Sequence, residues 1–398
     1  MNRIIYGDVD VPFAGALDEL RQNDLYRRCR AVRGAQGAEV IIDGRCVVSM
    51  CSNNYLGLAD HPDLIRAAAK AAVDFGVGAG SSRLVSGTME PHCELEKKLA
   101  QFKGAQECLL FNSGYQANVG VLSSIARKDD VIYSDELNHA SIIDGTRLSK
   151  ADVEVYQHLN TSVLEKMMER REDVGRKIIV TDSVFSMDGD TAPMSDLVEL
   201  KKRHGAILII DEAHATGVVG PGGAGLAASM GLENDVDMIV GTLGKALGGF
   251  GAFVTGRSGM IDWLTNTARS FIYTTALPPT VAATSLAALE LIEREPERVE
   301  NLKRNAAYFS GALGDAGVDV NHTEIPIIPL VIGEADEALD VANRLFEEGI
   351  FCGAIRPPSV PVGSSRLRLT IMATHTREQL DRAVEAISKI LRQKGLIV

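Results

Sequence analysis

Short runs of β-branched and apolar residues alternate with amphipathic stretches along most of the 398-residue chain. This alternation is typical of α/β proteins, in which parallel strands are joined by helices that cover the sheet. The predicted strands are residues 107–111, 131–134, 153–156, 177–181, 207–211, 238–241 and 252–255. The predicted helices are residues 62–75, 92–102, 195–204 and a stretch that follows Pro279. We therefore predict a large domain built on a mostly parallel sheet.

The pattern changes after about residue 290, where helices dominate and strands become sparse. The elements predicted there are helix 296–308, strand 327–332, helix 335–348, strand 366–371 and a final helix from Thr376. This order predicts a small C-terminal α+β domain over residues 290–398. The large domain then spans residues 46–289, and we expect residues 1–45 to pack with the small domain.

The charge balance narrows the choice of partners. Lys and Arg number 41 against 53 Asp and Glu, which gives a formal net charge of −12. Nucleic acids and anionic membranes attract positive surfaces, so we expect neither as a partner. No apolar run reaches the roughly 18 residues of a membrane span, and the chain start lacks a signal-peptide pattern. We therefore expect a cytoplasmic protein whose six cysteines are reduced and mostly buried.

Polar residues cluster where five of the predicted strands end. They are residues 112–115, 135–139, 181–183, 211–214 and 241–245. The carboxyl ends of parallel strands share one edge of a sheet, and open α/β sheets bind ligands at that edge. The sequence therefore predicts one site built from several loops.

Three motifs in or near these loops have alternative interpretations. Residues 211–214 spell the DEAH box of ATP-driven helicases, but such enzymes need a GxxxxGK[ST] loop, and Lys245 is followed by Ala246. Residues 220–225 fit GxGxxG yet contain a proline and lie outside a strand–helix junction, which favours a solvent loop. His139 and His214 lack a third ligand in the pattern, so we predict no metal site.

Lys245 lies in a glycine-rich turn, residues 241–249, directly after an apolar strand. A loop lysine is usually a mobile surface residue, but these glycines allow a bulky partner to approach the backbone closely. Asp211 ends an earlier strand of the same predicted sheet. A Schiff-base lysine and a carboxylate opposite a ring nitrogen are what pyridoxal phosphate requires, because the acid keeps that nitrogen protonated.

Eight stretches resemble the α-oxoamine synthases, fold-type I pyridoxal phosphate enzymes that join a small amino acid to an acyl thioester with loss of CO2. They are residues 52–58, 80–87, 113–118, 138–141, 184–189, 211–214, 242–245 and 366–368. The resemblance covers nearly the whole chain. It implies an α/β transferase of the aminotransferase-like fold, with a large mostly parallel sheet domain and a small α+β domain.

The same resemblance assigns roles at the cofactor. Lys245 matches the Schiff-base lysine, Asp211 the partner of the pyridine nitrogen, and His214 the donor to the phenolic oxygen. His139 matches the aromatic group stacked on the cofactor ring. The further residues that match cofactor contacts are Gly114, Tyr115, Ser186, Thr242, Thr274 and Thr275. Gly114 and Tyr115 match the phosphate end, where N–H groups at a helix start favour an anion.

The resemblance also implies partners. Thr274 and Thr275 match positions that reach the phosphate of a neighbouring subunit, which implies a homodimer with shared sites. Arg368 matches the clamp for the amino-acid carboxylate, which a guanidinium can hold with two parallel bonds. Asn53 and Ser359 match substrate contacts.

Two stretches favour different branches of this family. Residues 354–361, AIRPPSVP, resemble the biotin-pathway branch, which joins L-alanine to a pimeloyl thioester of CoA or acyl carrier protein. Residues 138–150, NHASIIDGTRLSK, resemble the ligase branch, which joins glycine to acetyl-CoA. We expect alanine and the pimeloyl thioester, with the glycine reaction or dual specificity as the alternative. A pyridoxal phosphate-binding regulator without turnover is the remaining class.

A group of N-terminal arginines has no assigned role. They are Arg27, Arg28, Arg30 and Arg33. Their guanidinium groups match either a distal substrate carboxylate, the phosphates of a carrier, or a solvated basic face, and the sequence leaves these three open.

Overall fold

The computed structural model describes residues 11–171 and 174–397, so the first ten residues of the predicted N-terminal segment lie outside the described residues. The strands are β1 Val32–Arg33, β2 Glu39–Ile42, β3 Arg45–Ser49, β4 Glu107–Phe111, β5 Val131–Asp135, β6 Asp152–Tyr156, β7 Lys177–Asp182, β8 Ile207–Asp211, β9 Met238–Thr242, β10 Ala252–Gly256, β11 Ile327–Gly333, β12 Ile350–Phe351, β13 Gly353–Ile355 and β14 Ser365–Thr370. The helices are α1 Val11–Gln22, α2 Pro62–Phe75, α3 Glu90–Phe102, α4 Gly114–Ile125, α5 Ala140–Leu148, α6 Thr161–Glu169, α7 Met194–His204, α8 Leu226–Ser229, α9 Ser258–Thr267, α10 Arg269–Ile272, α11 Pro279–Arg294, α12 Glu297–Asp315, α13 Ala335–Glu347 and α14 Arg377–Gln393. A π-helical turn spans Arg83–Gly87, and a 3-10 turn spans Pro221–Gly223.

The large sheet has seven strands in the order β4-β10-β9-β8-β7-β5-β6. Its strands pair in parallel except β10, which runs antiparallel to both of its neighbours. Strand β8 is apolar up to its last residue, Asp211, because both of its faces are covered: Leu208 and Ile210 pack in one hydrophobic cluster, and Ile209 packs in the cluster on the other face. A strand covered on both faces reads as a continuous apolar run. The predicted mostly parallel α/β sheet is confirmed.

The ends of the central strands stand side by side. Asp182, the last residue of β7, is the register partner of Asp211, the last residue of β8. Asp211 in turn is opposite Val240 of β9, two residues before that strand ends. The loops that follow these strands therefore emerge next to one another, which positions the site.

A second hydrophobic cluster lies around the antiparallel sheet β11-β14-β13. It includes residues of α12, α13 and α14, together with Val48 and Met50 from the start of the chain. These two join it because β3 pairs in parallel with β12, with Val48 opposite Ile350. The division of the chain at residues 45 and 289 stays a prediction.

Three further predictions concern the described residues as a group. The expectation that the cysteines are mostly buried is wrong, because Cys29, Cys46 and Cys93 are exposed. Within the described ranges every helix is too short or too polar to span a membrane, and the cytoplasmic location stays a prediction. In the same part of the chain, His, Cys, Asp and Glu side chains form no group of three that could hold a metal ion.

Candidate active site

A cavity of about 210 Å³ opens where the central strands end. Its lining residues are Gly114, Tyr115, Asn118, His139, Ser141, Asp182, Asp211, Ala213, His214, Thr242 and Lys245. The structure thus brings seven residues proposed from the sequence to one cavity: Gly114, Tyr115, His139, Asp211, His214, Thr242 and Lys245. The lining residues are the last residues of β7, β8 and β9, residues of the loops after β5, β8 and β9, and residues of the N-terminal halves of α4 and α5.

Lys245 occupies the turn between β9 and β10. The turn packs tightly because Gly248, at φ +64°, lies against the backbone of Leu58 and Ala59, where a Cβ would come within 2.6 Å of the Ala59 nitrogen. Burial lowers the pKa of Lys245, as does Arg368, whereas Asp211 and Asp182 raise it. A lysine with a lowered pKa is more readily the neutral, nucleophilic amine.

Asp211 is held by two N–H donors at the end of β8. Its Oδ2 accepts a hydrogen bond of 2.6 Å from Asn118 Nδ2, and its Oδ1 accepts one of 2.7 Å from the Ala213 backbone. Asn118 also donates to Ser141 Oγ at 2.9 Å. No role was predicted for Asn118, although it lies four residues after Gly114 on the same face of α4 and so reaches the same cavity.

His139 caps the N-terminus of α5. Its Nδ1 accepts the Ser141 backbone N–H at 3.2 Å and lies 2.7 Å from Ser141 Oγ. Its own backbone N–H donates to Asp182 Oδ2 at 2.7 Å. Burial lowers the pKa of His139, and Lys245 acts in the same direction, while Asp211 opposes it. The imidazole is therefore neutral and held in one orientation beside the cavity.

Asp182 is a second buried carboxyl group in the site. It stands next to Asp211 on the neighbouring strand. Burial raises the pKa of Asp182 well above its usual range, and the charge of Asp211 raises it further. Two adjacent carboxyl groups cannot both ionise easily, so we expect Asp182 to carry a proton. The sequence marked residue 182 as a polar strand end but assigned it no function.

A hydrogen-bond network joins His214 to the expected substrate residues. The Tyr55 hydroxyl lies 2.8 Å from His214 Nδ1 and 3.1 Å from Asn53 Oδ1. Arg368 donates to Asn53 Oδ1 at 3.0 Å, to the Tyr55 hydroxyl at 3.2 Å, and to the Ser186 carbonyl. Burial lowers the pKa of His214 well below its usual range, so its ring is neutral. Tyr55 lies inside a stretch that resembled the family, but its linking position depends on the fold.

Gly114 and Tyr115, predicted at the phosphate end, begin α4, and Thr242, a further predicted cofactor contact, ends β9. Ser113 caps α4, and a Cβ on Gly114 would meet no atom within 4 Å, so the helix start is open. Tyr115 donates to Asp144 Oδ2 at 2.7 Å. Thr242 Oγ1 donates to the Gly251 carbonyl at 3.1 Å, which fixes its hydroxyl at the cavity wall.

Other predicted residues lie away from this cavity. Thr274 and Thr275 are held by Asn112, whose Nδ2 donates to Thr274 Oγ1 at 3.2 Å and to the Thr275 carbonyl at 2.8 Å. Ser359 is exposed in the loop after β13, where its N–H donates to the Arg356 carbonyl at 3.1 Å. One chain therefore does not bring these three to Lys245.

The N-terminal arginines contact the C-terminal part of the molecule and their own segment. Arg27 donates to the Pro357 carbonyl at 3.3 Å, and Arg30 stacks over the Phe346 ring at 4.8 Å. Arg28 lies over the Tyr26 ring at 5.4 Å. These contacts place Arg27 beside the loop that carries Ser359.

A lysine and a carboxylate in one cavity of this fold are the arrangement expected of a pyridoxal phosphate enzyme. The chain belongs to the class I and II aminotransferase family, whose model matches residues 45–387. The 8-amino-7-oxononanoate synthase of Geobacter sulfurreducens is 50% identical over 386 residues, which cover 96% of this chain and 99% of that protein. The enzyme of the same name from Citrifermentans bemidjiense is also 50% identical, over 97% of this chain and 99% of its own length.

Solved structures point to the same group. A variant of the S. paucimobilis serine palmitoyltransferase, solved with pyridoxal phosphate joined to myriocin, matches with a TM-score of 0.93 and 30% identity, over 98% of this chain and 100% of that one. The 8-amino-7-oxononanoate synthase of Francisella tularensis matches with a TM-score of 0.75 and 28% identity, over 88% of this chain and 99% of that one. The predicted resemblance to the α-oxoamine synthases, and with it the fold-type I assignment, is confirmed.

Proposed function

We propose that this chain condenses L-alanine with a pimeloyl thioester to give 8-amino-7-oxononanoate, CO2 and free thiol, a step of biotin biosynthesis. The observation that carries the proposal is the half-buried Lys245, whose pKa is lowered, in one cavity with the carboxylate of Asp211. The identity of 50% to 8-amino-7-oxononanoate synthases over nearly the whole chain supports the choice of substrates.

The cavity fits pyridoxal phosphate. It offers an amine at one wall, a carboxylate fixed by two N–H donors at another, and an open helix start for an anion. When bound, this cofactor supplies an electron sink that stabilises negative charge at the α-carbon of an amino acid. The residues that would hold it are Lys245 at the aldehyde, Asp211 at the ring nitrogen, His139 at the ring face, His214 at the phenolic oxygen, and Gly114, Tyr115, Ser186 and Thr242 around the remaining polar groups.

Lys245 also has the properties of a proton carrier. With a lowered pKa its Nζ is available as a base for the α-proton of alanine, and it can return that proton before product release. The hydrogen bond between the Tyr55 hydroxyl and His214 Nδ1 fixes the neutral His214 ring at the cavity wall. Tyr55 and His214 are buried and Lys245 is half-buried, which limits the access of water to the proton transfer.

Arg368 is the proposed clamp for the alanine carboxylate. The Ser186 carbonyl, Asn53 and the Tyr55 hydroxyl accept its N–H groups, so the guanidinium is oriented before substrate arrives. Its positive charge is buried, and none of these acceptors is a carboxylate. An incoming carboxylate would therefore compensate that charge.

We propose a homodimer in which Thr274 and Thr275 contact the phosphate in the partner's site. Both lie away from the Lys245 cavity of their own chain, and Asn112 fixes them. Tyr273, beside them, is 71% exposed and Phe250 is 57% exposed, which is unusual for aromatic side chains unless another surface covers them. A second copy of this chain would do so.

The glycine and acetyl-CoA reaction is the second candidate, favoured by residues 138–150. The test is kcat/KM for alanine with pimeloyl-CoA against glycine with acetyl-CoA, with Lys245→Ala as the inactive control. One methyl group in a pocket gives about 10–200-fold discrimination, so we expect measurable activity with glycine but preference for alanine. An advantage for glycine with acetyl-CoA would overturn the proposal. The same assay with pimeloyl-acyl carrier protein identifies the carrier.

A further inference from the structure

His158, in the loop after β6, lies between two carboxylates. Its Nδ1 is 2.9 Å from Asp135 Oδ1, and its Nε2 is 2.8 Å from Asp190 Oδ2. A neutral imidazole has one N–H and one lone pair, and an ionised carboxylate can only accept. Both contacts are hydrogen bonds only when the ring carries two protons. With both carboxylates ionised, the geometry therefore requires the imidazolium.

The surroundings of His158 support the charged form. The only other carboxylate that contacts it within the described residues is Glu136, whose Oε1 accepts the His158 backbone N–H at 2.8 Å. The Phe185 ring packs edge-on against the imidazole, with centroids 4.4 Å apart. Burial lowers the pKa of His158, but the hydrogen bonds to Asp190 and Asp135 outweigh it and raise the pKa above its ordinary value.

Asp190 depends on His158 more than Asp135 does. Asp135 also accepts the backbone N–H groups of Leu137 and Leu159. The second oxygen of Asp190, Oδ1, is buried and has no hydrogen-bond partner in the described part of the chain. The Asp135 side chain is 1% exposed and that of Asp190 is 37% exposed, so a neutral ring keeps its one N–H on the more buried Asp135. Asp190 then loses its hydrogen bond to the ring.

Asp190 belongs to a closed loop, residues 183–192. Backbone hydrogen bonds join Phe185 N to Asp190 O at 3.0 Å, Gly189 N to Phe185 O at 2.9 Å, and Ala192 N to Ser183 O at 2.9 Å. Asp190 is thus hydrogen-bonded through its backbone to Phe185, which precedes Ser186 in the chain. A restraint on Asp190 therefore also restrains the Ser186 end of the loop.

The other end of the 183–192 loop carries the acceptors of two arginines. Arg368 Nε donates to the Ser186 carbonyl, and Arg366 pairs with Asp188. The loop is consequently held by His158 on one side and by the two arginines of β14 on the other.

We propose that His158 is a positioning residue for the amino-acid site: its imidazolium holds the 183–192 loop through Asp190, and the loop orients Arg368 through the Ser186 carbonyl. This inference rests on the proposed role of Arg368 as the carboxylate clamp. When pH rises and the ring loses its Nε2 proton, a lone pair faces Asp190, and the loop is released on that side. Affinity for the carboxylate of the amino acid then falls.

The substitution Asp190→Asn tests the proton directly. An amide at position 190 can donate to the unprotonated Nε2, while Nδ1–H still donates to Asp135, so a neutral ring holds the loop. The dissociation constant of alanine is measured from the change in visible absorbance of the holoenzyme, from about pH 6 to about pH 9. We expect the wild-type constant to rise at least about fivefold more than that of Asp190→Asn over this range. Equal pH dependence in the two proteins would overturn the proposal.

The matched control is Asp340→Asn, the same substitution at an exposed aspartate that pairs with Lys394. It should keep the wild-type pH dependence, and loss of that dependence would contradict a specific effect of Asp190. If Asp190→Asn does not fold, His158→Gln replaces it. Because an uncharged amide cannot donate to both carboxylates at once in the imidazolium geometry, its alanine affinity should be low at every pH. High affinity across the range would overturn the proposal.

A second readout needs neither cofactor nor turnover. An NMR titration of the apoprotein should give a His158 pKa above the ordinary ~6.5 in the wild type and a lower value in Asp190→Asn. An unshifted ring would remove the basis of the inference. Absence of condensation with normal alanine binding and normal pH dependence would instead overturn the proposed function alone, so the two failures are distinguishable.

Discussion

Charged groups in and near the cavity shift the pKa of Lys245 in opposite directions. Asp211 and Asp182 raise the pKa of Lys245, while burial and Arg368 lower it. Because Asp182 sits beside Asp211 and its pKa is raised, one negative charge rather than two stands near the amine. These groups therefore favour a neutral Lys245 next to the Asp211 carboxylate, the combination that the proposed chemistry needs.

Removal of the Asp211 charge should uncouple cofactor binding from proton transfer. In Asp211→Asn we expect the cofactor to remain bound and exchange of the alanine α-proton to fall by roughly 10²-fold or more, because the ring nitrogen loses its charged partner. Asn118→Ala should have a smaller effect, about 10–100-fold, since it deletes one of the two hydrogen bonds to that charge. Exchange is followed by NMR in D2O. Wild-type exchange in Asp211→Asn would exclude Asp211 as the partner.

At the scale of the element, the turn after β9 can be tested through two of its glycines. A Cβ on Gly248 would come within 2.6 Å of Ala59 N and would require φ +64°, whereas a Cβ on Gly244 would meet its nearest atom at 3.6 Å. We expect Gly248→Ala to lower the free energy of unfolding by about 1–3 kcal/mol and Gly244→Ala to change it far less. Denaturant unfolding of the two variants measures the difference. Equal losses would show that the turn does not pack on Leu58 and Ala59 as described.

The strand β8 and its following loop are fixed by a buried ion pair. Lys103, at the end of α3, donates to Glu212 Oε2 at 2.7 Å, and the two side chains are 1% and 0% exposed. Thr216 and the Ala224 carbonyl accept the other protons of the ammonium group. Glu212 directly follows Asp211 in the sequence, so the ion pair holds the loop after β8 to the end of α3.

Lys103→Met should therefore destabilise the protein by about 3–5 kcal/mol, because it leaves Glu212 buried without its counter-charge. The matched control is Lys389→Met, which breaks an exposed pair with Glu348 and should cost no more than about 1 kcal/mol. Thermal and denaturant unfolding both report the change. A small effect at Lys103 would mean that water or a rearrangement compensates Glu212.

Sequence patterns predicted the elements that have strong local signals. The central strands of the large sheet are apolar on both faces, and the runs of all seven strands were recognised to within about a residue at each end. Strands β1 and β12 have two residues each and β13 has three, too short for any periodicity to appear. The residues around the site were likewise recognised only where a local sequence motif marks them. Lys245 and Asp211 stand in recognisable motifs, but the Lys103–Glu212 pair joins side chains 109 residues apart, which only the fold brings together.

At the scale of the whole molecule, shared sites can be tested by mixing two inactive subunits. One carries Lys245→Ala, and the other carries Thr274→Ala with Thr275→Ala. If the threonines serve the partner, each mixed dimer contains one intact site, so random pairing should restore about a quarter of wild-type sites. Cofactor content and activity both report it. If mixing restores nothing, the threonines act within their own subunit or have no role at the phosphate.

The parallel pairing of β3 with β12 joins residues that are synthesised far apart in time. His139, Asp211 and Lys245 leave the ribosome well before Ile350, the partner of Val48, and before Arg368. Domains form during synthesis as their residues emerge. A nascent chain should therefore acquire the cofactor cavity first and the carboxylate clamp last. Ribosome-bound chains stalled before residue 350 would show this order by capturing pyridoxal phosphate without responding to alanine.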